Sequence, residues 1–171
     1  DYTVKWCRRQ PVLAGLSEEG RILLWDMYTA PEDPTSLDDD SSFDAFAFAP
    51  RGDVLAAASG STVRLFDWRR AEPIETSFDA SGLVLSLKFS PDGKFIYLLN
   101  ELSVSMTAFA WDAANGTARQ LGTVPSISEA AKAKETHNSG AEILMHPGGR
   151  FVYFSNRGHD TVSVFRVDPA T

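Results

Sequence analysis

An all-β fold built from repeated antiparallel meanders is what the sequence predicts, and three observations predict it. The apolar residues fall in runs of four to eight that stop at Gly, Pro, Asp or Asn, the signature of short strands between turns. The stretch SPDGKFIYLLNE, Ser90 to Glu101, comes back as HPGGRFVYFSNR, His146 to Arg157. The one stretch that reads as helix, Ser128 to Glu135 with Ala130, Ala131 and Ala133, is short.

The repeat sets the organisation. Pro91 and Pro147, Gly93 and Gly149, Tyr97 and Tyr153, Asn100 and Asn156, Phe109 and Phe165, and Asp112 and Asp168 are all 56 residues apart, so one supersecondary unit is used twice. A period of 41 runs through the first half, joining Leu13 to Val54, Ile22 to Val63, Trp25 to Phe66 and Asp26 to Asp67, and it continues from Pro50 to Pro91 and Gly52 to Gly93. Four repeats follow, over residues 1–40, 41–80, 81–126 and 140–171, with 127–139 an inserted loop or short helix.

Within the second repeat, AFAFA (Ala45 to Ala49) alternates, a Pro-Arg-Gly-Asp turn follows, and then VLAAAS, a Gly-Ser turn, TVRLFDW and PIETSF. The third reads LSLKF, a Pro-Asp-Gly turn, KFIYLLN, VSMTAFAW, an Asn115-Gly116 turn and ARQLGTV. Asn-Gly is a tight hairpin signal. A four-stranded meander cannot bury both of its faces alone, and radial stacking of copies solves this, which predicts a β-propeller of four blades with up to four antiparallel strands each. The fourth repeat reaches Thr171 directly after its third strand. A bare strand edge is a template for association, so the expected partner is a second copy, a homodimer through exposed blade edges that completes eight blades. A closed four-bladed monomer is the alternative.

Composition narrows the function. With 43% hydrophobic and 23% charged residues the chain reads as one soluble domain, and no apolar run approaches the ~20 residues of a membrane span. A net charge of −7 with scattered basic residues argues against nucleic acid as a partner. No signal peptide is visible, and Cys7, the single cysteine, reads as a small buried apolar residue. A reducing, cytoplasmic setting is expected. His137, His146 and His159 lack tight ligand spacing, so neither metal nor cofactor is expected. The acidic run Leu37-Asp38-Asp39-Asp40 lacks the alternating spacing of a calcium loop and reads as a solvated loop.

Two families are echoed. The endings Leu23-Leu24-Trp25-Asp26 and Arg64-Leu65-Phe66-Asp67, with FAFAPRGDVLAAAS, resemble WD-repeat proteins over about residues 4 to 90. From about Phe89 onward, SPDGKFIYLLNE, AFAWDAANGTARQLGTVPS and AEILMHPGGRFVYFSNRGHDTVSVFRVDPAT resemble the bacterial 6-phosphogluconolactonase and carboxymuconate-cyclase-like lactonases. In the first half the third strand closes with aromatic and Asp adjacent; in the second, two residues separate them in Phe-Ala-Trp-Asp and Phe-Arg-Val-Asp. That change of spelling predicts a chimera or a designed half-propeller.

The lactonase resemblance implies a site lined by Glu, Arg and His on one end of the propeller. Its catalytic candidates are Glu101, Glu142, Arg157 and His159, and its ligand-binding candidates are Asn100, His137 and Asn156. Lactone hydrolysis needs an activated water, a donor for the oxyanion and, for a phosphorylated sugar, a cation; Glu101, Glu142 or a His would be the base and Arg157 the anion clamp. Strand-end polar residues also serve as turn caps. The leading reading is therefore a non-catalytic scaffold or binding module whose propeller end takes a protein or small-molecule ligand, with a 6-phosphogluconolactonase-like hydrolase as the alternative.

Overall fold

The structure is a computed structural model that describes all residues except 1, 2, 8, 9, 39, 135 and 169–171. Asp39 of the acidic run, Glu135 at the end of the expected helix and Thr171 therefore lie outside the described residues. Among the described residues fifteen strands form four antiparallel meanders. Blade one holds β1 (Val4–Trp6), β2 (Val12–Leu16), β3 (Ile22–Asp26) and β4 (Ala30–Ser36). Blade two holds β5 (Ala45–Phe48), β6 (Val54–Ser59), β7 (Thr62–Asp67) and β8 (Glu72–Asp79), and blade three β9 (Val84–Phe89), β10 (Phe95–Asn100), β11 (Ser105–Asp112) and β12 (Thr117–Pro125). After the short helix α1 (Glu129–Lys132) comes blade four, with β13 (Ser139–Met145), β14 (Phe151–Arg157) and β15 (Thr161–Arg166). No helix among the described residues is long and apolar enough to cross a membrane.

Strand alternation explains how blades stack. Successive side chains point to opposite faces of a sheet, and here both faces are apolar. On β6 and β7, Leu55, Ala57 and Phe66 pack with Val12, Ala14, Ile22 and Leu24 of blade one. Their neighbours Ala56, Ala58, Val63 and Leu65 pack with Ile96, Leu98, Phe109 and Trp111 of blade three. Blade three divides the same way, for Phe95, Tyr97 and Leu99 turn to Ile143, Val152 and Phe154 of blade four. Small alanines on β6 allow the central blades to approach closely. The first strand of each blade is innermost, and β9 packs between β5 and β13.

The outermost faces are bare. Val4 and Trp6 of blade one are 54% and 53% exposed, and Val162 and Val164 of blade four 62% and 58%. A closed four-bladed ring, the alternative expectation, would have buried these faces against each other.

Register corrects one detail of the period. Leu13 pairs with Trp25, whereas Leu55, not Val54, pairs with Phe66. The second strands of blades one and two are thus offset by 42, because the turn after β2 is one residue longer between matched pairs.

The acidic run also differs from its expectation. Asp38 is not simply solvated. It accepts hydrogen bonds from the Asp40 amide at 3.0 Å and the Ser41 hydroxyl at 2.9 Å, and it pairs with Arg64 Nη1 at 2.8 Å. Partial burial pushes its pKa up, but the hydrogen bonds and Arg64 outweigh this and hold it below the ordinary Asp value. The loop pins blade one to blade two. By contrast the repeated Asp that ends each third strand is a turn device, since Asp26, Asp67 and Asp112 each accept from the amides two and three residues on.

Candidate functional site

Backbone bonds bring Glu101 and Arg157 to one rim. At the end of β10 the Glu101 amide donates to the Leu83 carbonyl at 2.9 Å, and the Glu101 carbonyl accepts from the Gly140 amide at 2.9 Å. Those bonds tie the end of β10 to the start of β13, where Ser139 lies opposite Arg157. Arg157 Nη1 therefore comes within 3.7 Å of Glu101 Oε1, across two blades. The Arg157 side chain is 59% exposed and the Glu101 side chain 22%, so the guanidinium is open to an anion from solvent while the carboxylate lies deeper.

The turns beside this pair are both left-handed, and the first is strained. Val104 and Asp160, equivalent by the offset of 56, have φ of 51° and 54°, a left-handed conformation that a β-branched residue rarely adopts. Val104 is held there because its carbonyl accepts from the Ser126 amide at 3.0 Å and hydroxyl at 3.2 Å. The inserted segment crosses the same rim. Ser128 caps α1, and Lys132 at its other end donates to the Ser103 carbonyl at 2.9 Å. His137, exposed, runs with its carbonyl against Gly158. His159 Nδ1 lies 2.8 Å from the Thr161 hydroxyl, which orients the ring and leaves Nε2 for another partner.

Asn100 and Asn156 sit just behind the rim and are 0% and 4% exposed. Asn100 donates to Ser105 at 3.0 Å and Thr107 at 2.8 Å; Asn156 donates to the Thr161 hydroxyl at 3.2 Å and Ser163 at 3.0 Å. Asn156 also accepts from the Ser126 hydroxyl. These are the same bonds 56 residues apart, a blade-internal lock repeated with the blade. The expected ligand-binding role would require side chains that face solvent, and these face their own sheets. Asn156→Ala is expected to cost about 2–3 kcal/mol, because Ser126 and Ser163 lose a buried partner; denaturant titration measures it, and a loss within error would show that the network contributes nothing.

Glu142 is not brought together with Glu101 and Arg157. It lies three residues beyond Ser139 on β13, roughly 10 Å along at the ordinary strand rise. Its carboxylate accepts from Ser86 at 2.9 Å, from the Ile143 amide at 3.0 Å, and pairs with Lys88 Nζ at 3.2 Å. Burial raises its pKa, but Lys88 and the hydrogen bonds prevail and leave it below the usual Glu value. Beside them Lys5 donates to the Phe46 carbonyl and lies 4.9 Å over the Phe46 ring. Burial first, and then the like charge of Lys88, bring the Lys5 pKa down to about 7 against the opposing pull of Glu142.

Sequence reasoning missed Lys5, Ser86 and Lys88. The repeat did carry a signal: Ser86 and Glu142 are 56 apart, and the two hydrogen-bond each other across adjacent inner strands. Among the described residues no group of three or more His, Cys, Asp or Glu is arranged to hold a metal.

Comparison with known proteins identifies the fold family. The model of the family described as lactonase, seven-bladed β-propeller, matches residues 86–171. A 6-phosphogluconolactonase of Bacillus subtilis is 29% identical over 127 residues, 71% of this chain and 35% of that protein. The small ribosomal subunit protein RACK1 of Schizosaccharomyces pombe is 31% identical over 88 residues, 46% of this chain and 28% of that one. A crystal structure of a protein from Lactobacillus plantarum superposes with a TM-score of 0.74 at 25% identity, over 99% of this chain and 53% of that one. The chain thus spans about half or less of the length of these relatives. Both the lactonase and the WD-repeat likeness are present, on one propeller fold. Because the match to the family model extends over half of its residues, the chain belongs to the lactonase family of seven-bladed β-propellers.

Proposed function

We propose that this chain carries part or all of a lactone hydrolase site, acting on a sugar lactone of the 6-phosphogluconolactone type. The observation that supports this reading is the Glu101–Arg157 pair, held across two blades within the family-matched segment. Glu101 takes a proton from water as the water oxygen attacks the lactone carbonyl. Arg157 leaves Glu101 to hold the anionic substituent, and His159 Nε2 protonates the ring oxygen as the acyl C–O bond breaks, giving the open hydroxy acid. Glu142, occupied by Lys88 and Ser86, has no step. The test is acid release from 6-phosphogluconolactone above the spontaneous rate, lost in Glu101→Gln; release equal to the blank with well-folded protein would refute it.

The scaffold reading ranks second, supported by the RACK1 likeness. The alignment of one lactonase over 71% of the chain supports one continuous lineage in place of joined halves. Closure by a second copy is a separate proposal, supported by the exposed Val162 and Val164 on the edge strand β15. Light scattering should then report twice the 18.7 kDa chain mass; a monomer at high concentration would refute closure by self-association.

A further inference from the structure

Two lysine side chains, Lys5 and Lys88, converge among the inner strands, away from the rim that holds Glu101 and Arg157. Lys5 lies opposite Ala14, Ala47 opposite Ala56, Lys88 opposite Tyr97 and Leu144 opposite Tyr153. These four residues therefore hold one register position on the four innermost strands, and all four line a single cavity of about 330 Å³. Alanine at the second position leaves space between the two lysines. Pro50, Pro91 and Pro147, from the turns after the inner strands, border the same cavity.

The charges in it do not balance. An ammonium has three donors. Lys5 spends one on the Phe46 carbonyl, and Lys88 pairs with Glu142 at 3.2 Å. Glu142 also accepts from Ser86 and the Ile143 amide, so one carboxylate with its lone pairs already shared faces two lysine amines, and the charge on Lys5 is disfavoured by burial and by Lys88. Blade two contributes no charged side chain to the lining, only Ala47, Phe48, Ala49 and Pro50. Like charges brought together in a partly buried space destabilise each other unless an anion joins them.

We propose that this axial cavity binds a small oxyanion, a carboxylate or phosphate group, bridged between Lys5 and Lys88 with the alanine and proline walls around the rest of the ligand. Both lysines supply charge-assisted hydrogen bonds. Glu142 orients Lys88 and weakens binding by repulsion. The site is separate from the rim and is independent of lactone hydrolysis.

The experiment uses the 171-residue chain and titrates it with inorganic phosphate and, in a second arm, acetate. Side-chain NMR of the wild-type protein follows the ε-methylene signals of Lys5, Lys88 and the turn residue Lys94. Saturable shifts confined to Lys5 and Lys88 are expected, with one anion per chain by calorimetry. Lys5→Met and Lys88→Met should each weaken binding about tenfold or more, as the loss of one partner of a charged contact does, whereas Lys94→Met should not change it. Saturation by phosphate alone assigns the site to phosphate groups, and saturation by both assigns it to oxyanions including carboxylates. The inference is overturned if Lys94 shifts with the other two, or if no saturation occurs up to about 10 mM, well above the millimolar range of a weak specific site. The wild-type shifts decide the matter even if a methionine variant fails to fold.

Discussion

Glu101→Gln is expected to lower kcat for lactone hydrolysis by about 10²–10⁴-fold, the usual contribution of a positioned general base. The amide keeps the shape of the side chain, and the backbone bonds that fix residue 101 to Leu83 and Gly140 do not involve it. Stability should change little, since the partner at 3.7 Å is a mostly exposed arginine and surface ion pairs contribute ~1 kcal/mol or less. Arg157→Ala separates the roles. An anion clamp acts on binding, so its loss should raise KM for the phosphorylated lactone about tenfold or more and leave KM for the unphosphorylated lactone nearly unchanged. Equal effects on both lactones would assign Arg157 to the reacting centre instead.

The second large effect is structural. In Gly158→Ala the added methyl carbon would lie 1.8 Å from the His137 carbonyl oxygen, at a residue with φ of +83°. Backbone cannot yield as a flexible side chain does, so about 3–5 kcal/mol of stability should be lost, a fall in Tm of roughly 10 °C for a chain of this size. Gly52→Ala is the control. Its φ is +74°, but nothing lies within 4 Å of the new carbon, so it reports the backbone cost alone, about 1 kcal/mol. If the two variants lose equal stability, the inserted loop does not rest on the β14–β15 turn. Where Gly158→Ala does fold, the displaced His137 loop should also slow any hydrolysis measured for the parent chain, a result that would link this rim to the proposed activity.

Much of this molecule is legible before any coordinates. The uniform offset of 56 predicts paired blades, and the structure repeats even hydrogen bonds at that spacing, from Asn100 with Ser105 and Thr107 to Asn156 with Thr161 and Ser163. The hydroxyls five and seven residues after each Asn are visible in the sequence, and the structure shows them bonded to it. The helical segment is also legible, from Ser128 as cap and the alanines behind it, because capping and propensity are local.

Local information alone determined the strands, their turns, the repeat and the membership of Glu101 and Arg157 in one kind of rim position. Only the tertiary structure decided which charges meet. Glu142 went to Lys88 rather than to Glu101, and Lys5, over 80 residues from Lys88 in sequence, came to face it. The physical reason is that a periodic sequence specifies the height of a residue on its own strand, whereas the distance between strands of different blades is set by how the apolar faces stack around the axis.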